Sequence, residues 1–192
     1  MVGFAALMLA ACGNEKTEIQ QSDDEKAKAK TETSSESTET KEDKAKKEDI
    51  WTYYEDATWD NDYQGLKQTI QKVVVSNEAP MINDEGKEEI ASAVGVKFKI
   101  ENTTDGKFVT YPDQATLVTS TGEQVDASMI ASDHIGGEID KGVIKEGGVI
   151  FYLERGEADK IEWVKLSWNG HKGGDDEVSE EYKEFEVELK LK

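Results

Sequence analysis

The chain has 192 residues, enough for one domain with extensions, and carries 42 acidic against 23 basic side chains for a net charge of −19. That excess excludes a nucleic-acid binder, whose partner phosphates must meet clustered Lys and Arg, and it excludes electrostatic docking on anionic lipid. With 36% hydrophobic and 34% charged residues, the chain as a whole sits near the edge of foldable composition, so it must divide into a solvated part and a folding part.

Residues 1–12 carry no charge and read as an apolar run ending at Cys12, the only cysteine. Such a run is too short to span a bilayer, which takes about 20 residues, and it matches the apolar core of a secretory signal. The residues Leu9-Ala10-Ala11-Cys12-Gly13 resemble the lipobox of bacterial lipoproteins. The resemblance implies cleavage after residue 11 and a diacylglyceryl group on Cys12, anchoring the protein at the outer face of the cytoplasmic membrane. The positive stretch that precedes such a run is missing, which points to a translation start upstream of Met1. The competing reading is a frayed N-terminal helix with a free thiol. Either way, one cysteine excludes an internal disulfide.

Residues 12–50 hold Lys, Glu, Asp, Ser, Thr and Ala with few apolar side chains. They cannot bury enough surface to offset their ordering entropy, which predicts a disordered charged linker. Coil dimensions spread its far end on the order of 35 Å from the anchor. A charged helix over 23–30 is the alternative; Asp24 and Lys28 support it at i,i+4, whereas Lys26 and Lys30 repel.

From Trp51 the composition changes: every aromatic residue except Phe4 lies in 51–192, a segment long enough for one core. Its apolar periodicity is close to two. Val94, Val96, Phe98 and Ile100 alternate with polar or small residues, as do Phe185, Val187, Leu189 and Leu191. Residues 66–75, 107–111, 115–119, 148–153 and 161–168 read as further strands. Turns are expected at Thr104-Asp105-Gly106, Thr121-Gly122, Glu146-Gly147-Gly148 and Asn169-Gly170. About seven short strands predict an all-β antiparallel sandwich over 51–192. Pro80 and Pro112 fall at loops or strand ends. Residues 84–92 are the only helix candidate.

Ala93-Val94-Gly95-Val96-Lys97-Phe98-Lys99-Ile100-Glu101-Asn102-Thr103-Thr104, Tyr111-Pro112-Asp113-Gln114-Ala115-Thr116-Leu117, and Gly137-Glu138-Ile139-Asp140 leading to Glu146-Gly147-Gly148-Val149-Ile150-Phe151 resemble the immunoglobulin-like domain of many uncharacterised Gram-positive lipoproteins. The likeness runs from about Tyr53 to Leu191. It implies an extracytoplasmic Ig-like sandwich and brings no catalytic or ligand-binding residues.

For catalysis the sequence offers little. His134 and His171 both lie in Gly-rich stretches that read as exposed, no G-x-S-x-G elbow or phosphate-cradling loop occurs, and Cys12 is committed to lipid. A carboxylate pair of the glycosidase kind, in a cell-wall-associated enzyme, is the remaining enzymatic route, and abundant Asp and Glu make chance pairs inevitable. We therefore expect no enzyme. For metal, Asp60-Asn61-Asp62-Tyr63-Gln64-Gly65 spaces oxygen ligands like the first half of a calcium loop, but the closing position is Gln71 rather than Glu. Asp175 and Asp176, with Glu177, Glu180 and Glu181, form a second acidic cluster that reads more simply as a solvated hairpin tip. Calcium is thus a weak candidate cofactor, and no other is expected.

Aromatic residues give the stronger lead. Trp51, Tyr53, Tyr54, Trp59 and Tyr63 crowd the start of the domain, either as a stacking surface for glycan or peptide or as a first strand packed across the sandwich end. Strand alternation puts Trp168 with Val164 and Leu166 on the core face and leaves Trp163 with Lys165 and Ser167 on the other, so Trp163 joins the surface candidates. Two functions follow: a lipid-anchored module that binds a protein or wall polymer, or a calcium-stabilised structural domain.

Overall fold

The structure, a computed structural model, describes residues 49–83, 85–174 and 182–192. Cys12, the signal segment, the linker up to residue 48 and the Asp175–Asp176 cluster lie outside the described residues. Where about seven strands were expected, the described residues form eleven: β1 (Thr52–Tyr54), β2 (Trp59–Tyr63), β3 (Leu66–Ile82), β4 (Glu88–Asn102), β5 (Phe108–Thr110), β6 (Thr116–Thr119), β7 (Gln124–Asp126), β8 (Gly137–Ile139), β9 (Ile144–Tyr152), β10 (Trp163–Lys172) and β11 (Lys183–Lys190). The four that were not expected, β1, β2, β7 and β8, are three to five residues long. They are too short for a period of two to show in sequence. Two 3₁₀ turns, Pro112–Gln114 and Ala158–Lys160, complete the described elements.

The strands form two antiparallel sheets packed as a sandwich. The first runs β1-β3-β4-β9, with β2 also on β3; the second runs β7-β6-β10-β5-β8, with β11 on β10. Alternation sends Val94, Val96, Phe98 and Ile100 of the first sheet into one core with Leu117, Leu166, Phe185, Val187 and Leu189 of the second. Trp168 is 4% exposed, as its strand face predicts, and its ring lies 5.4 Å from Trp59, 5.4 Å from Phe98 and 5.5 Å from Phe185. Its indole Nε1 donates to Oε1 of the buried Gln68 at 2.9 Å, so the polar tip of the ring is satisfied inside the core.

Three local expectations are corrected. Residues 85–86 form a turn and Glu88 begins a strand, so no helix occupies 85–92. The Asn83 side-chain oxygen accepts from the backbone N–H of Glu85 and Lys87, both at 3.0 Å, closing a hairpin; four good helix formers cannot nucleate a helix against fifteen residues of cross-strand pairing. Glu146-Gly147-Gly148 and Asn169-Gly170 are not turns but lie inside β9 and β10. Both serve close approach: a Cβ on Gly147 would stand 2.6 Å from Ile135 Cγ2, and one on Gly170 2.8 Å from the Val109 carbonyl oxygen. Finally, His171 is 6% exposed rather than open to solvent.

The expected corner after β4 is built on Asn102. Its Nδ2 donates to the Gly106 and Ile139 carbonyls at 2.7 and 2.9 Å, and its Oδ1 accepts from the Thr104 N–H and hydroxyl, both at 2.9 Å. All four bonds of a fully buried amide are made, which ties the β4–β5 connection to β8.

Candidate functional site

The register of the first sheet divides the aromatic cluster. Tyr54, Trp59 and Tyr63 pack against the core, Tyr63 edge-on to Phe108 at 6.2 Å and to Phe185 at 5.8 Å. Trp51 and Tyr53 face outward. Tyr53 sits in one cross-strand row with Val74, Gly95 and Ile150, and the next row holds Ser76, Ala93 and Tyr152. Trp51 reaches over Gly95: a Cβ there would lie 3.9 Å from Cζ3 of the indole and only 2.8 Å from Val74 Cγ2. Glycine therefore lets the ring settle on the sheet between Val74 and Ile150. The Tyr53 hydroxyl donates to Asp49 Oδ1 at 3.4 Å, and the Lys72 ammonium stands 5.1 Å from its ring centroid. Loss of surrounding water, and then the Asp49 carboxylate, raise its pKa above the ordinary tyrosine value.

This apolar row continues into a groove of about 260 Å³. One wall is the outer end of the β3–β4 hairpin, with Pro80, Met81, Ile82 and Glu88; Tyr152 and residues Ser128, Ile130 and Ala131 close it. The Tyr152 hydroxyl donates to the Pro80 carbonyl at 2.9 Å, and burial raises its pKa. The 128–133 loop is fixed to β9 through Ser128 N–H to the Ile150 carbonyl at 2.8 Å and Ile150 N–H to Ser132 Oγ at 2.9 Å. The groove is thus preformed. Around it stand Ile130, Ile90, Met129 and Ile82, exposed by 83, 69, 50 and 48%. Glu88 brings a carboxylate to the groove, Lys87 nearby is matched by Glu85 at 2.6 Å, and Glu89, across from Met81, accepts from Asn83 Nδ2 at 2.6 Å. Past Val75, where β1 stops, β3 pairs only with β4, and Pro80 lies in this one-sided stretch.

The other predicted residues fall elsewhere. Trp163 is half-buried on the second sheet, in register with Lys190, and does not join Trp51 and Tyr53. Asp60 and Asp62 lie on β2 and its hairpin rather than in a calcium-type loop. Asp60 Oδ1 accepts from the Thr69 hydroxyl and Asp62 Oδ1 from the Gly65 N–H, both at 2.7 Å, with Gln64 and Gly65 at positive φ as a two-residue hairpin requires. Among the described residues no three His, Cys, Asp or Glu side chains converge as a metal group. His134 is exposed, and His171 packs edge-on against Tyr182 at 5.0 Å. Sequence reading missed Glu123, a buried carboxylate whose Oε2 accepts from the Glu154 and Arg155 N–H at 2.7 and 3.1 Å. Its role is to clamp the loop after β9.

No protein-family profile matches the sequence, and neither does any curated protein. Among solved structures, the chain is similar to a functionally unknown protein from Listeria monocytogenes EGD-e at 12% identity and a TM-score of 0.51, covering 74% of this chain and 88% of that one. A conserved hypothetical protein from Bacillus anthracis aligns at 12% identity and a TM-score of 0.45, over 76% and 99% of the two chains. At such identity the first likeness concerns the fold alone. No helix among the described residues is long and apolar enough to cross a membrane.

Proposed function

We propose that the protein is a lipid-anchored, extracytoplasmic binding module, held through Cys12 and the charged linker that follows it, whose sandwich captures an extended protein segment in the groove between the β3–β4 hairpin and the 128–131 loop. The observation that carries this reading is the apolar exposure at that groove on an otherwise strongly acidic molecule. Monomeric proteins rarely leave such a patch uncovered, and burying one Ile or Met side chain contributes about 1.5–3 kcal/mol. Charge selects the occupant. Glu88, on a chain of net charge −19, favours a segment with an apolar anchor flanked by Lys or Arg, and the same charge opposes both an anionic lipid surface and a second copy of this acidic chain. Binding rather than catalysis is the role proposed, and the Ig-like resemblance accords with it.

Two experiments test the two halves. In the producing cell, Cys12→Ser is expected to move the protein from the membrane fraction to the soluble fraction; unchanged retention would remove the lipid anchor from the account. For the groove, fluorescence anisotropy with the full-length protein compares an extended peptide bearing Leu between lysines with its Glu-flanked counterpart. The Lys-flanked peptide should bind at least tenfold tighter, and Ile130→Asp should abolish binding without lowering the melting temperature. Equal binding of both peptides, or none, refutes the assigned occupant.

A further inference from the structure

A second groove lies on the outer face of the second sheet, where the register brings Ser167 opposite Thr116 and Asn169 opposite Glu184. With Gln114 and Tyr182 these side chains enclose about 440 Å³. Thr116 is already committed, donating from Oγ1 to Asp126 Oδ1 at 2.8 Å. Gln114, Ser167, Asn169 and the Tyr182 hydroxyl make no side-chain hydrogen bond to another described residue, so amide and hydroxyl groups of both polarities converge on one concave surface. Tyr182 is 69% exposed, yet its ring is backed by the edge-on contact with the buried His171 imidazole. It offers an open flat face with a polar tip.

The composition of this groove narrows its ligand. Among the described residues no Lys or Arg lines it, so an anionic phosphate or carboxylate finds no counter-charge there. Glu184 is the only carboxylate among the described lining residues, too few for a calcium or magnesium shell. Its walls are mainly polar, so a lipid or an apolar peptide anchor gains little there. What remains is a neutral ligand rich in hydroxyl groups and carrying a flat apolar ring face. We infer that this groove is a binding site for a neutral carbohydrate chain, with Gln114, Ser167 and Asn169 hydrogen-bonding its hydroxyls and Tyr182 stacking on one sugar ring. Alternation also places Trp163 on this face, four residues from Ser167 and so about 13 Å along β10, where a longer chain reaches it. The site is independent of the groove on the first sheet.

Calorimetric titration of the full-length protein with cellotetraose, maltotetraose and the N-acetylglucosamine tetramer tests this. At least one should bind with a Kd below about 1 mM, a range typical of exposed grooves where each contact adds little. Asn169→Ala and Tyr182→Ala should each weaken it roughly tenfold, because they remove a hydrogen-bonding partner or the stacking ring, with the melting temperature unchanged. Ile130→Asp should leave saccharide binding intact, and inorganic phosphate should not compete. No heat with any of the three sugars at about 10 mM, a concentration that detects even millimolar affinity, overturns the inference. So does saccharide binding that survives both groove variants or is lost in Ile130→Asp.

Discussion

The two outer faces of the sandwich differ in what they turn to solvent. On the first sheet, β4 is apolar on both sides at Ala93-Val94-Gly95-Val96, and Ala93, Val94, Gly95 and Val96 are all buried. On the second sheet, β11 keeps Phe185, Val187 and Leu189 inside and turns Glu184, Glu186 and Glu188 to solvent. A strand buried on both faces has given up alternation, and something must cover the second face. On the first sheet the cover is partly internal, through Trp51 and Tyr152, and stops short at Ile130, Ile82 and Ile90. The second sheet needs no cover and presents hydrogen-bonding groups instead. One face is suited to an apolar anchor, the other to a hydroxylated chain.

Removing a ring from the inside should separate core from surface most sharply. Trp168→Ala is expected to cost about 3–5 kcal/mol, since the indole contacts Trp59, Phe98 and Phe185 and its loss leaves the Gln68 Oε1 only the longer bond from the Thr110 hydroxyl, whereas Trp163→Ala should cost under about 1 kcal/mol. Urea unfolding of both variants checks this; similar losses would erase the distinction. Asn102→Ala should follow at about 1–3 kcal/mol, because the Ile139 carbonyl and its neighbours lose their buried partner. A smaller effect concerns acid. The hydrogen bond from Asn77, followed by nearby Lys160 and Lys192, lowers the Asp159 pKa from 3.8. The folded state therefore favours its ionised form, so this contribution is present above 3.8 and is lost as pH falls through the lowered value. Asp159→Asn should lower stability slightly at neutral pH and converge on the parent below the lowered pKa, which flattens the acid limb of the profile; a profile identical to the parent's would show that Asp159 contributes nothing. Least of all, calcium or chelator should leave the melting temperature unmoved through Asp60 and Asp62, whose oxygens already serve Thr69 and Gly65. A rise with calcium that Asp60→Asn removes would reinstate the metal reading.

Much of the fold was legible because alternation is a local signal: the faces of β4, β10 and β11 and the core position of Trp168 follow from counting by two. The three-residue strands β1, β7 and β8 were not, since they exist through pairing with β3, β6 and β5 rather than through their own pattern. Gly147 and Gly170 read as turns because a glycine needed for close packing looks in sequence like one needed for a bend. The candidate site was half legible. The aromatic cluster was visible, but only the registers of β1 and β2 on β3 separate Trp51 and Tyr53 from Tyr54, Trp59 and Tyr63. Continuous apolar runs at 93–96 and 149–153 were the available signal for a covered outer face. The groove itself joins hairpin residues 80–88 to loop residues 128–131 and Tyr152, a meeting no local pattern encodes.

The most direct test of the central claim is a titration of the full-length protein with the Lys-flanked apolar peptide, read through the methyl resonances of Met81 and Met129. The account predicts that Met81, in the groove wall, and Met129, beside Ile130, both shift with this peptide and stay still with the Glu-flanked one. Unmoved methyls during binding elsewhere, or equal shifts with both peptides, would contradict it.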